Sequence, residues 1–128
     1  MQTKPTEAEL DILNVLWQRG EATVRDVFEA LSADKTVVYT TVLKTMQIMD
    51  EKGLVERDTQ GKAHIYRAKL QKADAQRNFV TNMLDKLFGG SAKQLVLQAL
   101  ESKPASSEEM KEIREILERA EKEQNEKD

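Results

Sequence analysis

The sequence predicts a mainly α-helical chain with one small β-hairpin near its middle. Apolar residues recur at helical spacing along most of the 128 residues. Residues 54–68 instead alternate apolar and polar side chains on both sides of a polar turn that contains glycine. The glycines stand between the periodic segments rather than inside them, as expected for residues that end helices and form turns.

The first two helices are marked by their N-terminal caps. Thr6 is followed three residues later by Glu9, which is the spacing of a capping box, and Gly20 ends the periodic segment. The first helix is therefore predicted over residues 6–19. A second helix begins at Thr23, with an acidic residue in its first turn.

A third helix is predicted from Val37 or Thr40 to Lys52, and a hairpin follows it. Residues 54–58 and 63–68 are the predicted strands, joined by a turn. One apolar stripe is expected to bury the third helix, and it consists of Val38, Val42, Met46 and Met49. Trp17 and Tyr66 are interpreted as core residues.

The order helix, helix, helix, hairpin is that of a winged helix-turn-helix domain, whose third helix enters the DNA major groove. The polar groups expected to meet DNA are Tyr39, Thr40, Thr41 and Lys44 on that helix, and Lys62 and Arg67 on the hairpin. Hydroxyls and cations at such positions can bind phosphates or base edges. The alternative is an ordinary solvated helix face and turn. His64 is either an exposed strand residue or a pH-sensitive group.

The second half is predicted to be helical over residues 74–88 and 91–100, with a last helix opened by a Ser106/Glu109 capping box. Its tail after Lys122 is fully polar and is expected to fray.

About 55 residues make a poor independent core, so residues 71–128 are predicted to be a dimerisation domain beside a DNA-binding domain of residues 1–70. The predicted interface consists of Phe79, Met83, Leu87, Phe88, Leu95, Leu100, Ile113 and Leu117. Packing onto the first domain, and a ligand pocket between these helices, are the alternatives.

Composition excludes several classes of function. The chain has no cysteine and a single histidine, so disulfides, cysteine-based zinc sites and histidine clusters are excluded. No apolar run approaches the roughly 18 residues of a spanning helix, and no signal peptide is visible. No catalytic residue set, metal site or cofactor motif can be assembled, so the chain is predicted not to be an enzyme.

The net charge of -3 is an average over segments of opposite sign. Residues 1–34 carry -4 and residues 70–128 carry -2, whereas residues 35–69 carry +3. The positive segment holds the predicted recognition helix and the hairpin. The acidic total therefore does not argue against DNA binding, although it favours modest non-specific affinity.

Several short motifs, in their order and spacing, resemble the penicillinase-repressor (BlaI/MecI/CopY) family of bacterial transcriptional repressors. The motifs are PTEAEL at 5–10, LW at 16–17, YTTV at 39–42, EKGLV at 51–55, GKA at 61–63 with Tyr66, FGGS at 88–91 and LVL at 95–97. The resemblance covers residues 5–118. It implies a homodimer with an N-terminal winged helix and a C-terminal helical dimerisation domain, which binds a dyad-symmetric operator and blocks transcription.

The sequence also departs from the family pattern. In its best-known members, a membrane-bound sensor protease triggers cleavage of an Asn-Phe pair, and Gln98 and Ala99 stand there in this chain. Proteolytic induction at Gln98–Ala99 is therefore an open alternative. The cysteine cluster of the copper-responsive branch is missing, which excludes copper sensing through thiolates. Ile48 stands where the family often has a basic residue.

The leading hypothesis is a cytoplasmic bacterial repressor that binds a palindromic DNA operator as a homodimer. A winged-helix module that binds another protein, without specific DNA binding, is the alternative. Binding of duplex DNA at low salt distinguishes the two.

Overall fold

The computed structural model describes residues 4–59, 61 and 64–127. Within that part it has six α-helices and three short strands, and it confirms the mainly helical fold with a small hairpin. The elements are α1 Glu7–Arg19, β1 Ala22–Thr23, α2 Val24–Ser32, α3 Tyr39–Lys52, β2 Val55–Asp58, β3 Ile65–Ala68, α4 Lys72–Lys86, α5 Ala92–Ser102 and α6 Ser107–Lys127.

The chain divides into two compact units, Met1–Asn78 and Phe79–Asp128, and the division falls within α4. The first unit contains all three strands and the first three helices. The second contains α5 and α6. The assignment of DNA binding to residues 1–70 and of dimerisation to residues 71–128 stays a prediction.

Both predicted N-terminal caps are formed. The Thr6 hydroxyl accepts a hydrogen bond from Glu9 N–H at 3.2 Å, and the Glu9 carboxylate accepts one from Thr6 N–H at 2.8 Å. Thr23 and Asp26 exchange the same two bonds, each at 3.1 Å. These reciprocal bonds satisfy backbone donors that the first turn of a helix leaves without partners. The local sequence therefore fixes where α1 and α2 begin.

The strands form one antiparallel sheet in the order β1-β3-β2. The hairpin pairs Arg57 with Tyr66, and the predicted hairpin is thereby confirmed. The strand β1 was not foreseen from the sequence, and it pairs Ala22 with Tyr66 on the other side of β3. Two residues are too few to show an alternating pattern, and this strand exists because the chain passes beside β3 on its way into α2.

The core of the first unit lies between α1, α2, α3 and the sheet. Its largest fully buried side chains are Tyr66, Ile12, Leu13, Leu16, Met46, Met49, Val27 and Val55. The burial of Tyr66 is thus confirmed, and Trp17 packs against the core while its Nε1–H donates to the Leu70 carbonyl at 2.9 Å. The prediction that Val38 lies on the buried stripe is wrong, since 59% of this residue is exposed. It is the extended N-cap residue of α3, so its side chain lies outside the helical repeat.

The end of α3 depends on a glycine. Gly53 has a φ of 82°, in the left-handed region, and its N–H donates to carbonyls of the last helical turn. A residue with a Cβ rarely adopts this conformation, which explains why a glycine follows the helix here.

The second unit buries none of its own helical residues in α5 or α6. Its large exposed apolar side chains include Val80, Met83, Leu87, Val96, Leu97, Ile116 and Leu117. The tail expected to fray after Lys122 is instead helical through Lys127. It is rich in good helix formers, and Glu123 stands four residues before Lys127, a spacing that stabilises a helix. None of the described helices is long and apolar enough to cross a membrane.

Candidate nucleic-acid interface

The helix α3 has an apolar buried side and a polar exposed side. Val42, Met46 and Met49 are buried in the core. Thr40 and Lys44 are exposed and stand four residues apart, so they lie on one face of the helix, opposite those three residues. The core therefore holds the helix from behind and leaves a hydroxyl and an ammonium group available on its outer side.

Gln47 shares this outer face and was not singled out from the sequence. It is exposed and follows Lys44 by three residues, one turn of the helix. A glutamine amide can both donate and accept, and it can form two hydrogen bonds with adenine. The helical spacing from Thr40 through Lys44 to Gln47 was the signal that could have identified it.

Thr41 lies at the flank of the same face. It borders an apolar cleft of about 270 Å³ between α1 and α3, and its carbonyl accepts a hydrogen bond from the Thr45 hydroxyl at 2.8 Å. Lys35 and Asp11 also line this cleft, and the Lys35 ammonium group donates to the carboxylate of Asp11. That hydrogen bond raises the pKa of Lys35 above its ordinary value. Lys35 belongs to the positive segment but is paired within the domain.

Tyr39 begins α3 and is held by an aromatic contact. Its ring meets that of Phe28 edge to face, with the centroids 5.5 Å apart and the planes at 75°. Phe28 packs in turn against the core. The guanidinium carbon of Arg25 lies over the Tyr39 ring, 5.8 Å from its centroid. The sequence does not indicate this position of Arg25, since no local pattern shows that α2 brings it to the start of α3.

The two hairpin candidates differ in what the structure shows of them. Lys62 lies outside the described residues. Arg67 is exposed on β3, where its Nε lies 3.2 Å from the carboxylate of Glu21 and its Nη2 lies 3.5 Å from that of Asp58. Two carboxylates therefore compete with any phosphate for this guanidinium. His64 is exposed, as one of its two interpretations expected, but it precedes β3, which begins at Ile65, and is therefore not a strand residue.

None of the eight residues predicted to form an interface between two copies is fully buried within this chain. Met83, Leu87 and Leu117 are exposed. The other five are half-buried, namely Phe79, Phe88, Leu95, Leu100 and Ile113. The side chains expected to meet a partner thus retain apolar surface that this chain does not cover.

The pair Gln98–Ala99 lies inside α5, and both residues are exposed. The Ala99 carbonyl accepts a hydrogen bond from Lys103 N–H at 3.1 Å at the end of this helix. Proteolysis of a folded element proceeds through local opening of its backbone, so cleavage at this pair requires that part of α5 to unwind.

Comparison with known proteins gives matches over most of the chain. Residues 5–119 match the model of a family described as Penicillinase repressor. The methicillin resistance regulatory protein MecI of Staphylococcus aureus (strain N315) is 24% identical over 112 residues, which are 88% of this chain and 91% of that protein. The penicillinase repressor of Bacillus licheniformis is 25% identical over 113 residues, 88% of each chain.

A higher identity is confined to part of the chain. The transcriptional regulator BlaI of Mycobacterium tuberculosis (strain CDC 1551 / Oshkosh) is 40% identical over 65 residues, which are 50% of this chain and 47% of that protein. Among solved structures, the DNA binding domain of the repressor BlaI matches with a TM-score of 0.51 and 22% identity. The match covers 58% of this chain and 93% of that domain, and it supports the winged-helix fold.

Proposed function

The chain belongs to the penicillinase repressor family, and on that premise we propose that it is a bacterial transcriptional repressor that binds an operator in double-stranded DNA. The observation that carries the proposal is the outer face of α3. Thr40 and Lys44 are exposed there, while Val42 and Met46 on the other side are buried. A helix supported in this way can enter the major groove with its polar face toward the bases. The family is one of repressors, and we assign no enzymatic activity.

Each candidate group has a distinct role in this proposal. Lys44 supplies a cation for a phosphate or for guanine, and the hydroxyls of Thr40 and Thr41 bind phosphates or base edges. Tyr39 supports the start of the helix. The proposed wing contact of Lys62 depends on the sequence alone. Arg67 is the weakest candidate, because Glu21 and Asp58 already pair with it.

We further propose that the repressor is a homodimer assembled through its second half. The supporting observation is that α5 and α6 bury no residue, although they carry Val96, Leu97, Ile116 and Leu117. A dimer would cover this apolar surface. It would also place two copies of α3 on a dyad-symmetric operator, with half-sites separated by about 34 Å or a multiple of that distance.

The test is DNA binding by the purified full chain. An operator is selected from a pool of random duplexes, and affinity is measured by fluorescence anisotropy at increasing salt. We expect affinity to fall steeply with salt because phosphate contacts release counterions. The double variant Thr40→Ala/Lys44→Ala should bind at least about tenfold more weakly, whereas Lys103→Ala, an exposed lysine outside the proposed interface, should bind like the wild type.

Two results would contradict the proposal. Failure of the wild type to bind any duplex at low salt would favour the protein-interaction module instead. Unchanged affinity in the double variant would remove α3 from the interface.

The cytoplasm is the proposed location, since the operator lies there. The membrane sensor protease remains a proposed partner that depends on the family resemblance. Cleavage at Gln98–Ala99 would require α5 to open, so we expect this bond to resist proteolysis while the helix is folded. Limited proteolysis of the purified chain, followed by mass spectrometry of the fragments, tests this expectation.

A further inference from the structure

Arg25 lies in the first turn of α2, directly beside the first residue of α3. Its guanidinium carbon is 5.8 Å from the centroid of the Tyr39 ring, a distance typical of a cation–π contact. Its side chain is 71% exposed, and its one described ion pair is with Glu29, one turn further along α2, at 3.6 Å. The arginine is thus oriented by a ring and remains open to solvent.

The ion pair with Glu29 leaves the Arg25 guanidinium able to bind another anion. Both side chains are largely exposed, and such pairs contribute little because water and salt screen them. A guanidinium carries a fork of N–H donors that matches a phosphate, and a cation–π contact with an aromatic ring does not use up those donors. Arg25 can therefore exchange the carboxylate of Glu29 for a phosphate.

The orientation of this arginine can be traced back to the core. Phe28 packs against the core, Tyr39 meets Phe28 edge to face, and Arg25 lies over Tyr39. The same contacts place Arg25 next to the N-terminal end of the proposed recognition helix. In helix-turn-helix domains the helix before the recognition helix crosses the DNA backbone. Arg25 is on that helix.

We infer that Arg25 binds a phosphate of the DNA backbone and that the ring of Tyr39 is the positioning group that holds it. The inference rests on the proposed function and adds a contact to it. It also gives Tyr39 a role that depends on its ring and not on its hydroxyl.

The experiment measures binding of the full chain to a fluorescent random-sequence duplex of about 30 base pairs, because phosphate contacts do not depend on sequence. Affinity is followed between about 50 and 200 mM salt. Arg25→Ala should reduce the slope of log affinity against log salt by about 0.9 for each bound protomer. The matched control is Arg77→Ala, since Arg77 is equally exposed and pairs with Asp74 at 3.1 Å. It should keep the wild-type slope.

The role of the ring is tested by two substitutions. Tyr39→Phe keeps the ring, and it should keep the wild-type slope because the slope counts phosphates neutralised by cations and does not respond to the loss of a neutral hydroxyl. Tyr39→Leu removes the ring. On its own it should weaken binding several-fold, but when it is added to Arg25→Ala it should weaken binding much less. Circular dichroism melting of each variant checks that the overall fold is retained. Glu29→Gln removes the competing carboxylate, so this variant should bind at least as tightly as the wild type.

The outcomes separate the inference from the function. If the wild type binds duplexes and Arg25→Ala has the same slope, the phosphate contact is wrong while the repressor function stands. Equal effects of Tyr39→Leu in both backgrounds overturn the positioning role. If the wild type binds no duplex at low salt, the proposed function fails, and the inference fails with it.

Discussion

The Glu9 carboxylate joins the beginning of α1 to the end of α3 by accepting two hydrogen bonds from the Lys52 ammonium group, both at 3.0 Å. Glu9 is only 2% exposed, and the same carboxylate closes the capping box with Thr6. A buried carboxylate is costly unless it is paired and hydrogen-bonded, and both conditions are met here. This contact holds the C-terminal end of the proposed recognition helix against the domain.

The first prediction concerns the stability that Glu9 provides. Glu9→Ala removes the cap partner and leaves the half-buried Lys52 without its carboxylate, so it should lower the free energy of unfolding by about 2 to 3 kcal/mol. Urea denaturation followed by circular dichroism measures the change. Glu7→Ala is the matched control, because Glu7 is an exposed acid in the same turn, and it should cost less than about 1 kcal/mol. Equal losses in the two variants would contradict the role of Glu9.

The second prediction concerns how the free energy of unfolding depends on pH. Burial favours a raised pKa for Glu9, but the bond from Thr6 N–H and the pairing with Lys52 outweigh it and hold the pKa below its ordinary value of 4.5. The unfolded chain therefore binds more protons in the interval below that value, and stability rises with pH there.

The stabilisation by ionised Glu9 is thus present above pH 4.5 and is lost as pH falls through the lowered pKa of the folded state. Urea denaturation at a series of pH values should show stability falling on acidification less steeply in Glu9→Gln than in the wild type. Identical pH profiles would mean that Glu9 titrates alike in both states.

Local patterns predicted much of the fold, because capping and periodicity act over a few residues. The Thr6 and Thr23 caps and the hairpin follow from such patterns. The strand β1 and the Glu9–Lys52 pair do not, since each joins segments that are distant in the sequence and meet only in the folded chain. The exposure of Val38 was missed because apolar spacing does not show that the residue precedes the first helical turn.

For the candidate site, the sequence likewise predicted which residues share a helix face but not the contacts between separate elements. The expected polar residues of α3 follow from helical spacing, and the same spacing could have identified Gln47. The contact of Arg25 with Tyr39 and the ion pairs of Arg67 depend on how α2, α3 and the sheet come together. Sequence spacing therefore indicates which residues share a face, but not which of them already have partners.

The third prediction contrasts two cations of the proposed interface. Lys44 is exposed on the outer face of α3, whereas Arg67 pairs with Glu21 and Asp58. Lys44→Ala should therefore weaken binding to a selected operator by about tenfold, and Arg67→Ala should weaken it much less. Glu21→Gln should release part of Arg67 and strengthen binding in low salt. A larger loss from Arg67→Ala than from Lys44→Ala would contradict this ranking.

The fourth prediction assigns sequence discrimination to Gln47. An amide that forms two hydrogen bonds with a base contributes about 1 to 3 kcal/mol of discrimination against the wrong base. Gln47→Ala should relax the preference at one base position of the selected operator and leave the salt dependence unchanged, because no phosphate contact is lost. Repeating the selection with the variant measures the preference. Gln76→Ala, an exposed glutamine of α4, is the control, and an unaltered preference in Gln47→Ala would exclude base recognition by Gln47.

The last prediction tests the proposed dimer at Leu87, which is 74% exposed. Because this side chain buries little surface within the chain, Leu87→Asp should cost the protomer little stability. In a dimer interface the same change would place a charge in an apolar contact, so the dissociation constant should rise at least about tenfold. Sedimentation equilibrium of the wild type and the variant measures this change.

Thr81→Asp is the control, since Thr81 is an exposed polar residue of α4, and it should dimerise like the wild type. The loss of the dimer should also weaken binding to a two-half-site operator, because each protomer then binds its half-site alone. Binding to a single half-site should not change. A wild type that stays monomeric at every concentration would overturn the dimer, and an unchanged dissociation constant in Leu87→Asp would exclude Leu87 from the interface.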